Sequence, residues 1–461
     1  MLGLLLVGAL TSCINGRSVA KPELTIAVER ITSLDPLALR EPGAMLIDRA
    51  LFDTIVRFDE DAQLLKPSLA ESWETLDSGS RFIFHIDPRA KFHDGAKVRS
   101  EDVKFSLDRL ASASTHSDSA PLLADILGFD DVSVRGVQGL SGVSVIDESS
   151  FEIRLASPWR EFPLVLTNLA TAPVAKTQVE RNPDGLRTSP IGTGPYRLIR
   201  SAQGRIDLRR NVHYFGTAPL TDRVSFVSYP NDRAALADLE DGKVDLARAP
   251  ARSAANAIAR FGSAGVVPLS AGIYIGVDVQ KVALDTRRRI ARSIDRETLS
   301  KQALGYAAQP AVSLTLPPGT AKCEECRFDP LAQTNQLSIK IGYPASGSLS
   351  EIGDAVADAL DAAGIHTERV KSDVATVLAG VDAGDIDAYV FGWSGEYPGP
   401  HAFLYPLVRT GSSNNHTHYS VTAVDALIEQ FRASPDRVGA TEAITAAESR
   451  VLADLAVIPL I

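Results

Sequence analysis

At 461 residues the chain is long enough for two or three domains, and its 45% hydrophobic and 23% charged residues exclude a disordered, collagenous, coiled-coil or polytopic membrane protein. Its 57 acidic against 47 basic side chains leave a formal charge of −10, which argues against a basic nucleic-acid face or an anionic lipid surface as partner. Three cysteines are too few for a disulfide-built scaffold.

Leu2–Leu10 is an apolar run leading into Thr11-Ser12-Cys13. As a helix it would reach about 14 Å, under half of the ~30 Å hydrocarbon core. It therefore reads as the apolar region and cleavage site of a secretory signal over residues 1–12. No Lys or Arg precedes Leu10; either the start lies upstream of Met1 or the signal is atypical. Small residues directly before a cysteine resemble the bacterial lipobox, which implies Cys13 as a diacylated N-terminus. Two acyl chains anchor firmly where one is marginal. Residues 13–22 are polar and small, as in a tether. The alternative is a buried N-terminal strand with an incidental cysteine.

Leu24–Glu29 alternates and is β-branched, the pattern of a strand, and Ala44–Phe52 carries helical spacing. In Arg81–Ile86 the side chains of Phe82, Phe84 and Ile86 share one strand face. Ser100 reads as the cap of a helix whose first turn holds Glu101 and Asp102 and whose buried stripe is Val103, Leu107 and Leu110. Cys323 and Cys326 follow Pro317-Pro318-Gly319, so they fall in a loop. Zinc would need a second pair of ligands, and a thioredoxin-type pair would open a helix. Outside the cytoplasm a local disulfide is the expectation, worth at most about 2 kcal/mol in the loop-entropy model.

The later half alternates more regularly. Strands are expected at Leu337–Tyr343, Ile365–Val370 and Ile386–Gly392, and helices at Leu349–Ala363, with Gly364 in the C′ position, and Val374–Val381. That order defines a layered α/β domain with ligand sites at the carboxyl ends of its strands. Thr422–Arg432 and Ala440–Ala453 are amphipathic helices.

No dinucleotide or phosphate loop and no nucleophile elbow occurs. Spacing alone does not show which acidic residues converge, so a two-carboxylate hydrolase stays open at this point. His416-Thr417-His418 is the one close histidine pair. On a strand the two could share a metal; beside Ser412–Asn415 they read as a solvated loop. No catalytic residue, metal or cofactor is expected.

Six blocks resemble, in order, the peptide/nickel family of solute-binding proteins that feed ABC importers (extracellular solute-binding protein family 5). Leu69–Glu74 comes first, then Phe92-His93-Asp94-Gly95 with Ser100–Leu107. Ile191-Gly192-Thr193-Gly194-Pro195-Tyr196 follows, then Arg210-Asn211 with Tyr214-Phe215-Gly216. Leu284–Arg287 leads to Ile294-Asp295-Arg296. Gly392–Pro398 and Phe403–Pro406 precede Asn414-Asn415, Tyr419-Ser420 and Val424-Asp425. The resemblance covers nearly all of 24–461. It implies an α/β, bilobal periplasmic-binding-protein type II fold, with lobe I over 23–270, an inserted subdomain near 48–180, and lobe II over 271–461. It also implies an extracytoplasmic, lipid-anchored monomer that closes on its ligand by a hinge. Its partners would be a peptide or similar small solute and the ABC permease subunits, and it would not be an enzyme.

Gly192, Gly194 and Pro195 are read as backbone devices, Asp94-Gly95 as a tight turn and Trp73 as core. For Glu396 the resemblance implies a ligand contact. Peptide-binding members carry an aspartate at the matching position, which pairs with the peptide's α-ammonium. At ~4 Å and an effective dielectric of ~20 that attraction is about 4 kcal/mol before desolvation. Trp393 and Tyr397 are read as pocket walls, with Ser394, Asn414 and Asn415 as further ligand contacts.

The chain departs from the family pattern at Gly399, where a second aspartate is frequent. It departs again at Pro344–Gly347, where dipeptide binders carry an arginine for the peptide carboxylate. A longer peptide or another solute is thus favoured over a dipeptide. Relatives usually continue past Val457–Ile461, so either lobe I is pared down or the sequence is truncated. Two other readings stand beside this one: a binder of a metal chelate or other non-peptide solute, using His416 and His418, and a non-transport envelope lipoprotein that reuses the fold.

Overall fold

The computed structural model describes residues 5–8, 23–38, 42–202, 204–249, 253–262, 265–268, 271–304, 309–315, 321–329 and 337–461; Cys13 and the tether lie outside them. The chain forms two compact units, Gly8–Arg248 and Met1–Val7 with Ala249–Ile461. The division comes earlier than the boundary expected near 270, because helix Ala254–Phe261 and strand Val266–Pro268 side with the later unit. Within the segment expected as a signal, Leu5–Gly8 is a strand, antiparallel to Val266–Pro268.

In the first unit β1 (Glu23–Val28) is followed by helix α1 (Pro42–Leu51). A separate sheet comes next, built from β2 (Ala70–Leu76), β3 (Arg81–Ile86), β4 (Val143–Val145) and β5 (Ser150–Arg154). The chain then returns through β6 (Tyr196–Ala202), β7 (Arg205–Arg210), β8 (Arg223–Ser228) and β9 (Leu246–Ala249). These strands and β1 lie in the order β9-β1-β8-β7-β6, with β1 parallel to β8 and β9 and the rest antiparallel. Ile26 and Val28 of β1, Ile47 and Leu51 of α1, and Phe226 of β8 share one buried core. That is why alternating apolar positions on the strand and helical spacing on α1 were both needed.

The inserted sheet runs β2-β3-β5-β4 and is antiparallel throughout. Phe84 stacks on Phe151 at 5.1 Å inside it. Helix α2 (Ser100–Ala111) buries Val103, Leu107 and Leu110. Ser100 is the first helical residue and not the cap. Its hydroxyl donates to Asp147 O at 2.6 Å, while the cap position is Arg99, whose N–H donates to the Asp102 carboxylate at 3.0 Å. Trp73 is half-buried, stacked on Phe84 at 6.5 Å, where core burial was expected. It lies on an outer strand of the sheet, so one side of the indole meets solvent.

Three of the resemblance blocks converge on the end of α1. Gly194 N–H donates to Leu51 O at 2.9 Å. His93 N–H donates to Gly192 O at 2.8 Å, and its ring Nδ1 accepts from Gly192 N–H at 3.2 Å. Gly194 O meets His93 Nε2 at 3.1 Å and Asn211 Nδ2 at 3.3 Å. Burial holds the His93 imidazole below its ordinary range, so the ring is neutral, with Nε2 carrying the proton. The backbones approach so closely that a Cβ on Gly192 would lie 1.9 Å from Leu51 O. Here glycine is required by space.

The second unit carries β10 (Gly272–Val277), α3 (Leu284–Arg292), β11 (Leu337–Pro344), α4 (Ser348–Ala362), β12 (Ile365–Ser372), α5 (Val374–Asp382) and β13 (Ala388–Trp393). Helices α6 (His401–Val408), α7 (Thr422–Ala433) and α8 (Arg437–Asp454) follow, then the short strand β14 (Val457–Pro459). The sheet order is β12-β11-β13-β10-β14; β11 is parallel to both neighbours, and β10 is antiparallel to both of its own. Gly364, at φ +77°, ends α4 in the left-handed conformation that glycine takes at low cost.

Beside this sheet Cys323 and Cys326 form a disulfide. Glu325 between them pairs with Arg288 and Arg292 of α3. The buried Arg296 guanidinium holds four main-chain carbonyls, those of Pro459 and Cys326 at 2.7 Å, Ala291 at 3.1 Å and Ile294 at 3.2 Å.

Candidate functional site

Strand β13 ends at Trp393, at the carboxyl edge of the parallel β11–β13 pair, where α/β sheets present ligand loops. The chain then crosses Ser394–Pro400 and enters α6. Both sides of this loop are tied to α6. The Trp393 indole Nε1–H donates to Ala402 O at 2.8 Å, and the Tyr397 hydroxyl is hydrogen-bonded to His401 Nδ1 at 2.7 Å. Gly395 backs onto the Phe403 ring so closely that a Cβ there would sit 2.8 Å from it.

His401 is buried in a stack with Tyr405 at 4.9 Å and Phe431 at 5.6 Å. That burial, with Arg432 nearby, pushes its imidazole well below the usual range, so His401 braces the loop as a neutral ring. Between the two ties Ser394 and Glu396 are exposed, flanked by the half-buried Trp393 and Tyr397. The arrangement is a fixed aromatic-walled ledge carrying a carboxylate, suited to a cationic group.

Asn414 and Asn415 lie elsewhere. Asn415 Nδ2 donates to Arg409 O at 3.1 Å and Tyr419 O at 2.8 Å, and its Oδ1 accepts from the Thr417 hydroxyl at 2.8 Å. Its hydrogen-bonding capacity closes its own loop. Arg409 directly follows α6, so this loop is separated from Ala402 by most of that helix, about 10 Å. Asn414 is exposed in the same turn. The structure thus gathers Trp393, Ser394, Glu396 and Tyr397 and leaves Asn414 and Asn415 apart from them.

His416 Nδ1 pairs with Asp382 at 2.7 Å and His418 Nδ1 with Asp278 at 3.3 Å. The two rings serve different carboxylates. Among the described residues no group of three His, Cys, Asp or Glu side chains is placed to hold a metal ion.

Sequence reasoning did not single out Glu448. It is 2% exposed, on the α8 stripe that also buries Ile444, Ala447, Val451 and Leu452. A carboxylate placed on an apolar stripe was the available signal, because an acid is buried there only with partners. Nor did it find the Asp53–Tyr214 pair, 2.7 Å apart.

One α/β unit with parallel strands and one unit carrying an inserted antiparallel sheet define the class: a periplasmic-binding-protein type II fold. The chain belongs to the bacterial extracellular solute-binding proteins, family 5; the model described as "family 5 Middle" matches residues 65–415. It is similar to the periplasmic oligopeptide-binding protein OppA of Salmonella typhimurium, 26% identical over 465 residues, 93% of this chain and 84% of that one. It is also similar to the probable deoxycholate-binding periplasmic protein YgiS of Escherichia coli, 25% identical over 437 residues, 86% of this chain and 80% of that one. The solved structure of the Escherichia coli murein tripeptide binding protein MppA matches it with a TM-score of 0.76 at 22% identity, covering 95% of this chain and 92% of that one.

Proposed function

We propose that the protein is the extracytoplasmic receptor of an ABC importer, and that it captures oligopeptides by their free α-ammonium and hands them unaltered to membrane permease subunits. The observation that carries this reading is the exposed Glu396 carboxylate on a ledge held by Trp393–Ala402 and Tyr397–His401. Main-chain hydrogen bonds to an extended peptide would add affinity without reading most side chains. Cys13 serves as the lipid attachment point after removal of residues 1–12, and residues 13–22 as the tether. A second reading, a non-peptide solute, is favoured by the likeness to YgiS and by Pro344–Gly347, which offers no arginine to a peptide carboxylate.

Mass spectrometry of ligand released from purified protein separates the two: peptides support the first, a non-peptide acid or amine the second. Glu396→Gln should weaken a tripeptide with a free amino terminus about tenfold at low ionic strength and less at 0.5 M salt, since the ledge is partly wet. An unchanged Kd removes Glu396 from the site.

A further inference from the structure

Directly beside Trp393 the second unit contains a crevice of about 20 Å³. Its walls include Gly272, Ile273, Leu314, Trp393, Phe403 and Ile461. That is room for a single group the size of a water molecule or a methyl, and the lining is mostly apolar. Two of the same side chains carry the Glu396 ledge. Trp393 is tied to Ala402, and Phe403 is the surface against which Gly395 packs.

Ser313 and Leu314, which also line the crevice, are fixed from behind together with Thr315. Glu448 Oε1 accepts from the Ser313 hydroxyl and the Leu314 N–H, both at 2.8 Å, and from the Thr315 N–H at 3.1 Å. Its Oε2 accepts from the Thr315 hydroxyl at 3.3 Å. Two main-chain bonds fix the approach to this wall, Ala311 N–H to Leu460 O at 3.1 Å and Cys323 N–H to Val312 O at 2.7 Å. The Leu314 main chain cannot retreat to admit a larger guest without breaking its bond to that carboxylate, and overpacking a fixed wall is unfavourable.

We infer that this crevice seats one methyl-sized apolar group of the ligand, so that the receptor prefers an alanine-like first residue, and that Glu448 is the positioning residue that sets its size. The inference rests on the reading of Glu396 as the ammonium anchor, because the same α-carbon then bears the ammonium and the side chain entering the crevice. Calorimetric titration of the full chain, freed of co-purified ligand, with Ala-Ala-Ala, Gly-Ala-Ala and Leu-Ala-Ala tests it. Ala-Ala-Ala should bind about fourfold more tightly than Gly-Ala-Ala, which is about 0.8 kcal/mol, and at least about tenfold more tightly than Leu-Ala-Ala.

Leu314→Ala should open the crevice and reverse the order of the alanine and leucine peptides. Glu448→Gln should shrink the ratio between them while the glycine peptide binds as before, a selective effect that general destabilisation would not produce. Equal affinities for the three peptides, or a Glu448→Gln loss shared equally by all, would overturn the inference and leave the peptide reading standing. Failure of all three to bind the wild type would overturn both. If neither variant folds, the wild-type series decides alone.

Discussion

Replacing Gly192 by alanine tests the join between the resemblance blocks and α1. The added Cβ would stand 1.9 Å from Leu51 O and 2.8 Å from Leu51 C, and both are main-chain atoms that cannot swing aside. Relief requires the turn to withdraw by about 1 Å. That withdrawal stretches the Gly194–Leu51 bond at 2.9 Å and the His93 bonds to Gly192 and Gly194 at 2.8, 3.2 and 3.1 Å. A net contribution of about 1 kcal/mol for each, and more where a buried partner is left unpaired, gives a loss of about 3 to 5 kcal/mol. That is a large part of a domain's usual stability of about 5 to 15 kcal/mol. Urea unfolding should show the loss as a lower midpoint. Hydrogen exchange resolved to residues 42–51 should show α1 opening first, because its end has lost its clamp. A loss below about 1 kcal/mol, with α1 protection unchanged, would refute the claim that these blocks act as a structural clamp.

Burial pushes the Asp53 carboxyl up to about 6, despite the Tyr214 hydroxyl bond that favours ionisation. A raised carboxyl costs stability as pH rises from about 4 to 6 and costs it in full above that. Asp53→Asn should therefore gain up to about 3 kcal/mol at pH 8 and nothing at pH 3.5, read from urea midpoints; an equal gain at both would refute the cause. Arg296→Lys keeps the charge but cannot span four carbonyls, and should cost about 2 to 4 kcal/mol in thermal unfolding. Cys13→Ser should move the protein from the membrane fraction to the soluble one, and retention in the membrane would refute the lipid anchor.

Where one face of an element is buried, its position was legible in the sequence. Arg81–Ile86 is a strand over those same residues because Phe82, Phe84 and Ile86 all point into one core. The Gly364 stop on α4 was readable because few other residues adopt its φ of +77°. Errors fell where two local solutions compete. Ser100 and Arg99 could each begin α2, and the choice was made by Asp102 reaching back to Arg99 and by Asp147 O taking the Ser100 hydroxyl, a carbonyl 47 residues away. The division of the chain depends on similarly distant partners: short elements such as Val266–Pro268 show no pattern that assigns them to one unit, and their partner strand comes from the far end of the chain.

The loop that carries Glu396 is local, seven residues from β13 to α6 whose ties reach only four and nine positions along the chain, so its order follows from nearby sequence. The bonds of Asn415 were not legible, because what an asparagine bonds is decided by which carbonyls arrive beside it, here Arg409 O and Tyr419 O. This difference has a functional consequence. The blocks that carry the resemblance include His93, Gly192, Gly194 and Asn211, all spent on holding the end of α1. Ser313 and Leu314, which line the crevice, and Glu448, which holds them, belong to none of those blocks. A resemblance built on clamps transmits the scaffold, while on the inference above the size of the first side chain is set by residues outside those blocks. Two family members that share every block can then differ in ligand, and exchanging the Ala311–Thr315 segment together with residue 448 should move that preference without moving the fold.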